Sequence, residues 1–441
     1  MNLDELLLHI TGELKAGTHP GDLLKLIEEL EEQEKIDLMN RLESEDAVAL
    51  LEEMEDYDQA DLIRLLSNER ASEILRKMSS DDAADLLGEL SPAEAQEMLE
   101  RLDLEEEAVH FGDLLKYPEE TAGGLMTTEF ISLPADIPVE EAIARLREIA
   151  PEAETIYYVY VVDPEGRLIG VLSLRDLIAS SDGTFLKNVM RHNVISVNAE
   201  MDQEEVARVV SKYDLLAVPV VDEQERLLGI ITVDDVLDVM EQEATEDIYR
   251  LAGASEVEGI ELTEASVGKV VRLRLPWLLI SMVGGMLSGS VIGVYEDTLQ
   301  AIVVLAIFIP VIMDMGGNVG TQSSTIFVRG LATGEIERSE VWPYFFREVK
   351  IGATMGVICG IAISIAAYAW QNNPYLGLVV GIAMTATISV AALIGTLVPM
   401  ICNMVNIDPA ITAGPFVTTI KDVTGLLIYF LVASAFIEHL L

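Results

Sequence analysis

The chain has 441 residues, a length that corresponds to about three domains of ordinary size. Its 75 acidic and 28 basic residues give a formal net charge of -47 at pH 7. This charge excludes nucleic-acid binding by the acidic part of the chain, residues 1–272, because phosphate recognition requires clustered Lys and Arg. The two cysteines, Cys359 and Cys402, both lie in apolar sequence, which excludes a secreted scaffold held together by disulfides.

The negative charge is unevenly placed along the chain. Residues 273–441 contain only ten acidic and six basic side chains, so nearly all of the charge belongs to residues 1–272. Such an acidic surface repels anionic lipid and attracts cations. The opening sequence, MNLDELLLHITGELKAG, lacks the basic and long apolar regions of a secretory signal, so we expect the acidic part to stay in the cytoplasm.

Residues 1–122 are predicted to form an acidic regulatory domain of short helices. Residues 22–104 are rich in Leu, Glu, Ala and Asp, with the i, i+3/i+4 spacing of amphipathic helices. They also show an internal period of twelve residues, and one series of that period is Leu51, Ile63, Leu75, Leu87 and Leu99. A continuous helix would drift out of phase over this period, so the pattern predicts an all-α helical-repeat domain with turns between the helices.

Most carboxylates of this domain are expected to form a solvated helix face, since helix exteriors are commonly charged. A sharper interpretation is that some pairs, such as Asp81 and Asp85 at i, i+4, jointly hold a divalent cation. Like charges at that spacing destabilise a helix unless something neutralises them.

From residue 123 the sequence changes to β-branched strands that alternate with short helices. Four positions recur 59 residues later: Asp163, Gly170, Ser173 and Asp176 return as Asp222, Gly229, Thr232 and Asp235. We therefore predict two α/β domains in tandem, over residues 123–190 and 191–244. The repeated hydrophobic strand with Gly-h-h-Ser/Thr-x-x-Asp resembles a pair of CBS (cystathionine-β-synthase-type) domains.

The resemblance to CBS pairs implies a site for the ribose of an adenine nucleotide such as ATP. Its residues would be Ser173, Asp176, Thr232 and Asp235. The alternative is that each hydroxyl caps the following helix, with the Asp in the first turn, where the helix dipole favours it. In either case the module is expected to be a regulator, because it contains no set of nucleophile, base and orienting group.

An acidic connecting helix is predicted over residues 245–272. It continues an acidic stretch with a single basic residue nearby, Arg250; the carboxylates of that stretch are Asp235, Asp238, Glu243, Glu246 and Asp247. A helix this acidic requires counterions.

The remaining residues, 273–441, are predicted to form a five-helix transmembrane α-bundle. The apolar runs, each near the ~20 residues that cross a bilayer, cover about 273–294, 299–328, 347–370, 375–403 and 410–438. Basic residues concentrate before the first run and between the second and third. The positive-inside rule then puts the N-terminus in the cytoplasm and the C-terminus outside.

Polar residues interrupt two of these spans. In the second span, Pro310 and three glycines are expected to weaken the helix, and oxygen ligands come from Asp314, Asn318, Thr321 and Gln322. The fifth span contains the ionisable Asp422. Such groups at membrane depth indicate a permeation path. Oxygen donors without a Cys or His cluster suit a hard cation, although the residues do not separate Mg²⁺ from Ca²⁺ or Mn²⁺.

The segments PVIMDMGGNVGTQSST and DPAITAGPFVTTIKDVTG, in this order of domains, resemble the MgtE family of bacterial magnesium channels. The resemblance implies a homodimer in the cell (inner) membrane, with Asp422 as the ion-selecting residue and Asn318, Gly317 and Asp408 elsewhere in the pore. It also implies that the connecting helix plugs the pore. The carboxylates implied to hold regulatory Mg²⁺ between domains are Asp214, Asp235, Asp238, Glu243, Glu246, Asp247, Asp81 and Asp85.

Two residues depart from the family pattern. Asp314 stands where we expect a small or apolar residue, and adds a candidate carboxylate near the pore. Lys421 directly precedes Asp422. Adjacent helical residues point about 100° apart, so Lys421 is expected to face another helix or to extend toward a membrane interface.

The charge suggests a mechanism in which cytoplasmic Mg²⁺ bridges the acidic domains of a dimer and closes the pore, while Mg²⁺ depletion lets repulsion open it. An ion-coupled secondary transporter of Mg²⁺, Co²⁺ or Mn²⁺ is an alternative. A single strongly buried acid and the lack of an internal repeat count against that alternative. A metal-dependent membrane enzyme would lack a recognisable nucleophile, and a nucleotide sensor would use the five spans only as an anchor. No protein partner is implied beyond a second copy.

Overall fold

The structure is a computed structural model that describes residues 3–28, 30–54, 56–101, 114–150, 153–254, 266–336, 340–405, 407–410 and 414–440. It divides into two compact units, Met1–Glu241 and Gln242–Leu441. Part of the predicted connecting helix, residues 255–265, lies outside the described residues, and so do residues 102–104 at the end of the helical region and 411–413 near the start of the predicted fifth span.

The described part of the first hundred residues forms short helices. They are α1 (Leu3–Ala16), a 3-10 helix (Pro20–Leu23), α2 (Leu24–Glu28), α3 (Glu32–Arg41), α4 (Ser44–Leu51), α5 (Asp56–Leu65), α6 (Asn68–Leu75), α7 (Ser80–Gly88) and α8 (Pro92–Arg101). Serine hydroxyls cap the N-termini of two of these helices: Ser67 Oγ accepts from the Arg70 N–H, and Ser79 Oγ accepts from the Asp82 N–H.

The residues that recur every twelve positions form part of the hydrophobic core of this helical domain. Leu51, Ile63, Leu75 and Leu87 are each at most 1% exposed. Each repeat therefore buries the same position against its neighbours, and burial of such a side chain is worth about 1.5–3 kcal/mol. The predicted helical-repeat domain is confirmed.

In the described residues, the CBS-type repeats form two three-stranded sheets. Their strands are β1 (Ser132–Pro134), β2 (Tyr158–Val162), β3 (Leu168–Ser173), β4 (Val197–Asn198), β5 (Ala217–Val221) and β6 (Leu227–Thr232), and their helices are α9 (Val139–Ile149), α10 (Leu174–Ala179) and α11 (Gln203–Tyr213), with a 3-10 helix at Leu186–Asn188. In each sheet the first strand pairs parallel to the second, and the second pairs antiparallel to the third. Gly170 pairs with Val161, and Gly229 pairs with Val220 at the equivalent place. The tandem repeat is thus the same sheet built twice.

The acidic stretch after the second sheet is one helix, α12 (Val233–Leu251). It begins directly after β6, twelve residues earlier than the predicted start at residue 245. Residues 267–272, which the sequence assigned to this connector, already belong to the first membrane helix, α13 (Val267–Val294). Helix α13 begins before its apolar run and continues through Lys269 and Arg272, so hydropathy alone did not show where the helix begins.

Among the described residues, five helices are long and apolar enough to cross a membrane, as predicted. After α13 come α14 (Glu296–Ala301), a 3-10 helix (Val303–Phe308), α15 (Ile309–Ala332), α16 (Val341–Gln371), α17 (Pro374–Met404), α18 (Pro415–Ala435) and the terminal α19 (Ile437–Leu440). The third span begins at Val341, six residues before its predicted start. Helix α17 packs against α15, α16 and α18 and forms the centre of the bundle.

Candidate functional site

The polar residues of the second span lie on a continuous helix. Pro310 and the glycines were expected to weaken this span, but α15 runs unbroken from Ile309 to Ala332. Pro310 sits in the first turn, where its missing N–H costs no helical hydrogen bond. In the fifth span, α18 runs unbroken from Pro415 to Ala435, with Pro415 in its first turn. The expected weakening by the glycines was therefore wrong, whereas the predicted second span does change conformation before Pro310, at Ile302 and the 3-10 helix Val303–Phe308.

Two of the predicted pore residues contact each other on α15. Asn318 Nδ2 donates to Asp314 Oδ2 at 3.2 Å, across one helical turn. Both side chains are exposed in the single chain, and so are Thr321 and Gln322. Asp314 therefore adds a carboxylate to the same helix face as the predicted pore amide.

Lys421 joins α18 to this part of α15. Its side chain is only 4% exposed. Its Nζ donates to the Gly317 carbonyl oxygen at 2.7 Å and to Thr321 Oγ1 at 3.0 Å. Of the two orientations expected from the sequence, the structure has the one in which Lys421 faces another helix.

This contact sets the positions of the predicted ion-binding residues. The turn that Lys421 binds contains Asn318, and the residue after Lys421 is the half-buried Asp422. The helical segments that carry Asn318, Gly317 and Asp422 are thus packed together in the membrane part. Helices α15 and α16 also line an open pocket of about 300 Å³, whose lining residues include Asn318 and Gln322.

Asp408, another predicted pore residue, binds the end of α12. Its Oδ1 accepts from the Ala410 N–H at 2.7 Å, and its other oxygen pairs with the Arg250 guanidinium. Arg250 also pairs with Glu246, one turn earlier. Leu251 packs beside it against Val328 and Ala410. The single basic residue of the acidic stretch therefore attaches that helix to the loop before α18.

An acid of the third span is buried in the membrane part. Glu348 on α16 is 6% exposed, and it accepts from Ser323 Oγ on α15 at 2.7 Å. From the sequence only Asp422 was expected to be strongly buried, but Asp422 is half-buried and Glu348, close to the predicted edge of span three, is the more buried acid. This removes one argument against ion-coupled transport.

In the first unit, carboxylates from α7 and from the start of α12 lie close together. Asp81 is 8% exposed, and its Oδ1 has no hydrogen-bond partner in the described structure. Burial raises the pKa of Asp81 well above its usual range, and the charges of Asp82 and Asp235 raise it further. Burial also raises the pKa of Asp235, against the lowering effect of its hydrogen bonds from Thr232. Asp81 and Asp235, both predicted regulatory ligands, are thus brought together.

Two carboxylates that the sequence did not single out belong to the same cluster. Glu52 and Glu154 are exposed in part, yet crowding by neighbouring protein removes water from both carboxyl groups. This desolvation, and then the charge of Asp82, raises the pKa of Glu52 to about 7. Desolvation, and then the charge of Glu129, raises the pKa of Glu154 to about 7. We call the acidic cluster the group Glu52, Asp81, Asp82, Glu154, Asp234, Asp235 and Asp238. Glu52 and Glu154 carry no sequence signal, because only the fold brings them to the same place.

The other predicted regulatory residues are more scattered. Asp214 ends α11 with a left-handed backbone, φ 51°, and is exposed. Asp85 is half-buried on α7. Glu243, Glu246 and Asp247 lie on the part of α12 that belongs to the second unit. Within the ranges that the structure describes, no group of three or more His, Cys, Asp or Glu side chains is arranged to hold a metal ion.

The candidate nucleotide residues are engaged in helix capping. Ser173 Oγ accepts from the Asp176 N–H at 3.1 Å, and the Asp176 carboxylate accepts from the Ser173 N–H at 3.2 Å. In the second copy, Asp235 accepts from the Thr232 N–H at 3.1 Å and also from the Thr232 hydroxyl. The capping role expected as the alternative to ribose binding is thus present at Ser173, whereas the Thr232 hydroxyl bonds to the carboxylate of Asp235.

Five membrane helices with oxygen donors, an acidic helical domain and paired CBS-type sheets define a multidomain membrane protein of the transporter class. Family models agree along the chain: a divalent cation transporter model named MgtE matches residues 309–432, the MgtE intracellular N domain matches 18–120, and the CBS domain matches 122–183 and 186–242.

Relatives that match over most of the chain identify the family. A protein of Thermus thermophilus named magnesium transporter MgtE is 43% identical over 325 residues, which cover 74% of this chain and 72% of that protein. One of the same name from Enterococcus faecalis is 45% identical over 327 residues, 74% of this chain and 71% of that protein. The chain belongs to the MgtE family, and the resemblance seen in its sequence is confirmed. A crystal structure of the cytosolic domain of the Mg²⁺ channel MgtE with ATP matches 50% of this chain and 90% of its own, at 43% identity and a TM-score of 0.49.

Proposed function

We propose that this chain carries Mg²⁺ into the cell across the cell membrane, as a magnesium-selective channel. The observation that carries the proposal is the packing of α18, beside Asp422, on the α15 turn that contains Asn318. Carbonyl, amide, hydroxyl and carboxylate oxygens thereby gather within the membrane helices. This is the donor set of hard cations. Family membership supports the choice, since the relatives are named magnesium transporters.

In this proposal Asp422 is the ion-selecting carboxylate, Asn318 supplies an amide oxygen, and Gly317, whose carbonyl accepts from Lys421, lies beside them in the pore region. Mg²⁺ releases its water reluctantly, so these groups would hold the hydrated ion through outer-shell contacts. Asp314, hydrogen bonded to Asn318, adds negative charge on the approach. The pore is proposed to form between two copies of the chain, with the N-terminus in the cytoplasm and the C-terminus outside.

We further propose that cytoplasmic Mg²⁺ closes the channel by binding the acidic domains. The buried Asp81 oxygen without a hydrogen-bond partner supports this idea, because an ion would satisfy it. The proposed ligands are Asp81, Asp85, Asp214, Asp235, Asp238, Glu243, Glu246 and Asp247. Several carboxylates that share hydrated ions suit weak binding, near ~10⁻⁴–10⁻³ M. Binding would close the pore only if it favours the closed state over the open one.

Ion-coupled transport of divalent cations is the second candidate, and the buried Glu348 favours it. A carboxyl group held by a hydroxyl inside the membrane could carry a proton. The two candidates differ in their response to a proton gradient.

The experiment is Mg²⁺ entry into proteoliposomes that contain a Mg²⁺-sensitive dye, with cytoplasmic-side Mg²⁺ titrated and with or without a proton gradient. We expect flux at low cytoplasmic Mg²⁺, closure as it rises, no effect of the proton gradient, and loss of flux or selectivity in Asp422→Asn. Asp297→Asn, an exposed acid outside the membrane helices, is the matched control. Normal selective flux in Asp422→Asn would overturn the assigned pore site, and flux driven by the proton gradient would favour the second candidate.

Adenine nucleotide binding by the CBS pair is also a proposal, with ATP as the first ligand to test. Ser173 Oγ accepts one helix N–H and Thr232 Oγ1 donates to Asp235 Oδ2, so each hydroxyl keeps acceptor capacity for a ribose. An ATP-dependent rise in melting temperature that is lost in Thr232→Val and kept in the control Thr155→Val, at a half-buried threonine, would support it. No rise at millimolar ATP would contradict it.

A further inference from the structure

The position of Lys421 is unusual for a charged side chain. It lies inside the membrane helices, 4% exposed, and both of its hydrogen-bond acceptors are uncharged: the Gly317 carbonyl and the Thr321 hydroxyl. Carbonyl and hydroxyl oxygens are also ligands of hard cations. The ammonium group thus occupies a pair of oxygens that could otherwise face an ion.

The helix packing is shaped to admit this side chain. A Cβ at Gly320 would lie 2.9 Å from Lys421 Cδ, so the absence of a side chain at Gly320 lets the lysine cross α15. On the same helix, Gly317 and Thr321 are one turn apart and present their oxygens to the end of the lysine. Lys421 is therefore held in one place, next in sequence to Asp422.

We infer that Lys421 is a specificity-determining residue of the transport site, a tethered cation whose fixed charge limits how tightly a divalent ion is held at Asp422. This inference rests on the proposed function, in which Asp422 lies on the ion path. A fixed positive charge opposes a divalent ion twice as strongly as a monovalent ion at the same distance. Conduction requires binding that is weak enough for the ion to leave. Lys421 supplies that weakening without touching the ion.

The test separates the charge of Lys421 from its packing. Lys421→Gln keeps a hydrogen-bond donor and removes the charge, Lys421→Met removes both, and Lys421→Arg keeps the charge. Mg²⁺ flux into proteoliposomes is measured against external Mg²⁺ concentration for each variant. Lys350→Met, an exposed lysine on α16, is the control.

We expect the half-saturating Mg²⁺ concentration to fall several-fold in Lys421→Gln and Lys421→Met, with a lower maximal flux. Lys421→Arg and the control should keep the half-saturation of the original chain. A purely structural role would lower maximal flux without moving half-saturation. If Lys421→Gln, with a normal size-exclusion profile, keeps the original half-saturation, the inference is overturned, whatever happens to Lys421→Met or Lys421→Arg.

The Asp422→Asn variant distinguishes failure of the proposed function from failure of the role inferred for Lys421. If Asp422→Asn loses flux while Lys421→Gln saturates normally, the pore assignment stands and the role of Lys421 fails. If Asp422→Asn transports normally, the proposed function fails at its site, and the role of Lys421 fails with it.

Discussion

Glu52 and Glu154 are acids whose protonation the fold shifts toward neutral pH. Desolvation by the surrounding protein and neighbouring carboxylates raise the pKa of each to about 7, from a usual value of 4.5. Because each group binds its proton more tightly in the folded chain, unfolding releases protons between these two values. The free energy of unfolding therefore falls as pH rises through that window.

We predict that the melting temperature of the detergent-solubilised chain, free of divalent cations, falls between pH 5 and pH 7.5. In the double variant Glu52→Gln and Glu154→Gln the fall should be clearly smaller, because two of the groups that release protons are gone. Differential scanning calorimetry across the pH range measures this. Glu69→Gln, an exposed acid on α6, should keep the full pH dependence. An unchanged slope in the double variant would rule out the cluster as its source.

At the scale of helices and strands, the internal repeats of the sequence made the secondary structure predictable. The twelve-residue series predicted the short helices because the same positions are buried in each repeat, such as Leu51 and Ile63. The 59-residue repeat predicted two copies of one sheet for the same reason. The spans followed from hydropathy alone. The predicted starts of the first and third spans were six residues too late, because α13 and α16 extend beyond their apolar runs through Arg272 and Arg347.

The candidate site was only partly predictable from the sequence. Asp314, Asn318 and Asp422 stand out because polar groups in apolar runs are rare. The burial of Glu348 and the direction of Lys421 depend on which helices pack together. The pattern of polar and apolar residues along one sequence does not show which helices are neighbours. The same holds for the pairing of Arg250 with Asp408, which are 158 residues apart.

The Arg250–Asp408 pair leads to a prediction about α12. The pair is partly buried, and with Leu251 it holds the end of α12 on the loop before α18. If the connecting helix plugs the pore, as the family resemblance implies, loss of about 1 kcal/mol of this attachment would raise the open fraction about fivefold. Arg250→Met should therefore leave more residual Mg²⁺ flux at high cytoplasmic Mg²⁺ than the original chain.

Proteoliposome flux at saturating cytoplasmic Mg²⁺ measures this effect. Arg250→Lys keeps the charge and should stay closed, and Arg145→Met, which removes an exposed ion pair on α9, should have no effect. Equal residual flux in Arg250→Met and the original chain would show that the pair does not contribute to closure.

For the molecule as a whole, the dominant quantity is the net charge of -47, nearly all of it outside the membrane part. Self-repulsion of this size destabilises a compact state, and counterions relieve it. Monovalent salt screens all exposed charges alike, with a Debye length of about 10 Å at 0.1 M. A divalent ion held by buried carboxylates acts differently, because it stabilises only the conformation that brings them together.

We therefore predict that millimolar Mg²⁺ raises the melting temperature of the solubilised chain more than NaCl does at equal ionic strength. The rise should follow the saturation expected for sites that bind the folded chain and not the unfolded one. Asp81→Asn should reduce the Mg²⁺-specific part, since it removes the buried carboxylate whose Oδ1 has no partner among the described residues. Asp37→Asn, an exposed acid on α3, should keep it. If NaCl reproduces the whole effect, general screening accounts for the stabilisation and the acidic cluster does not bind the ion.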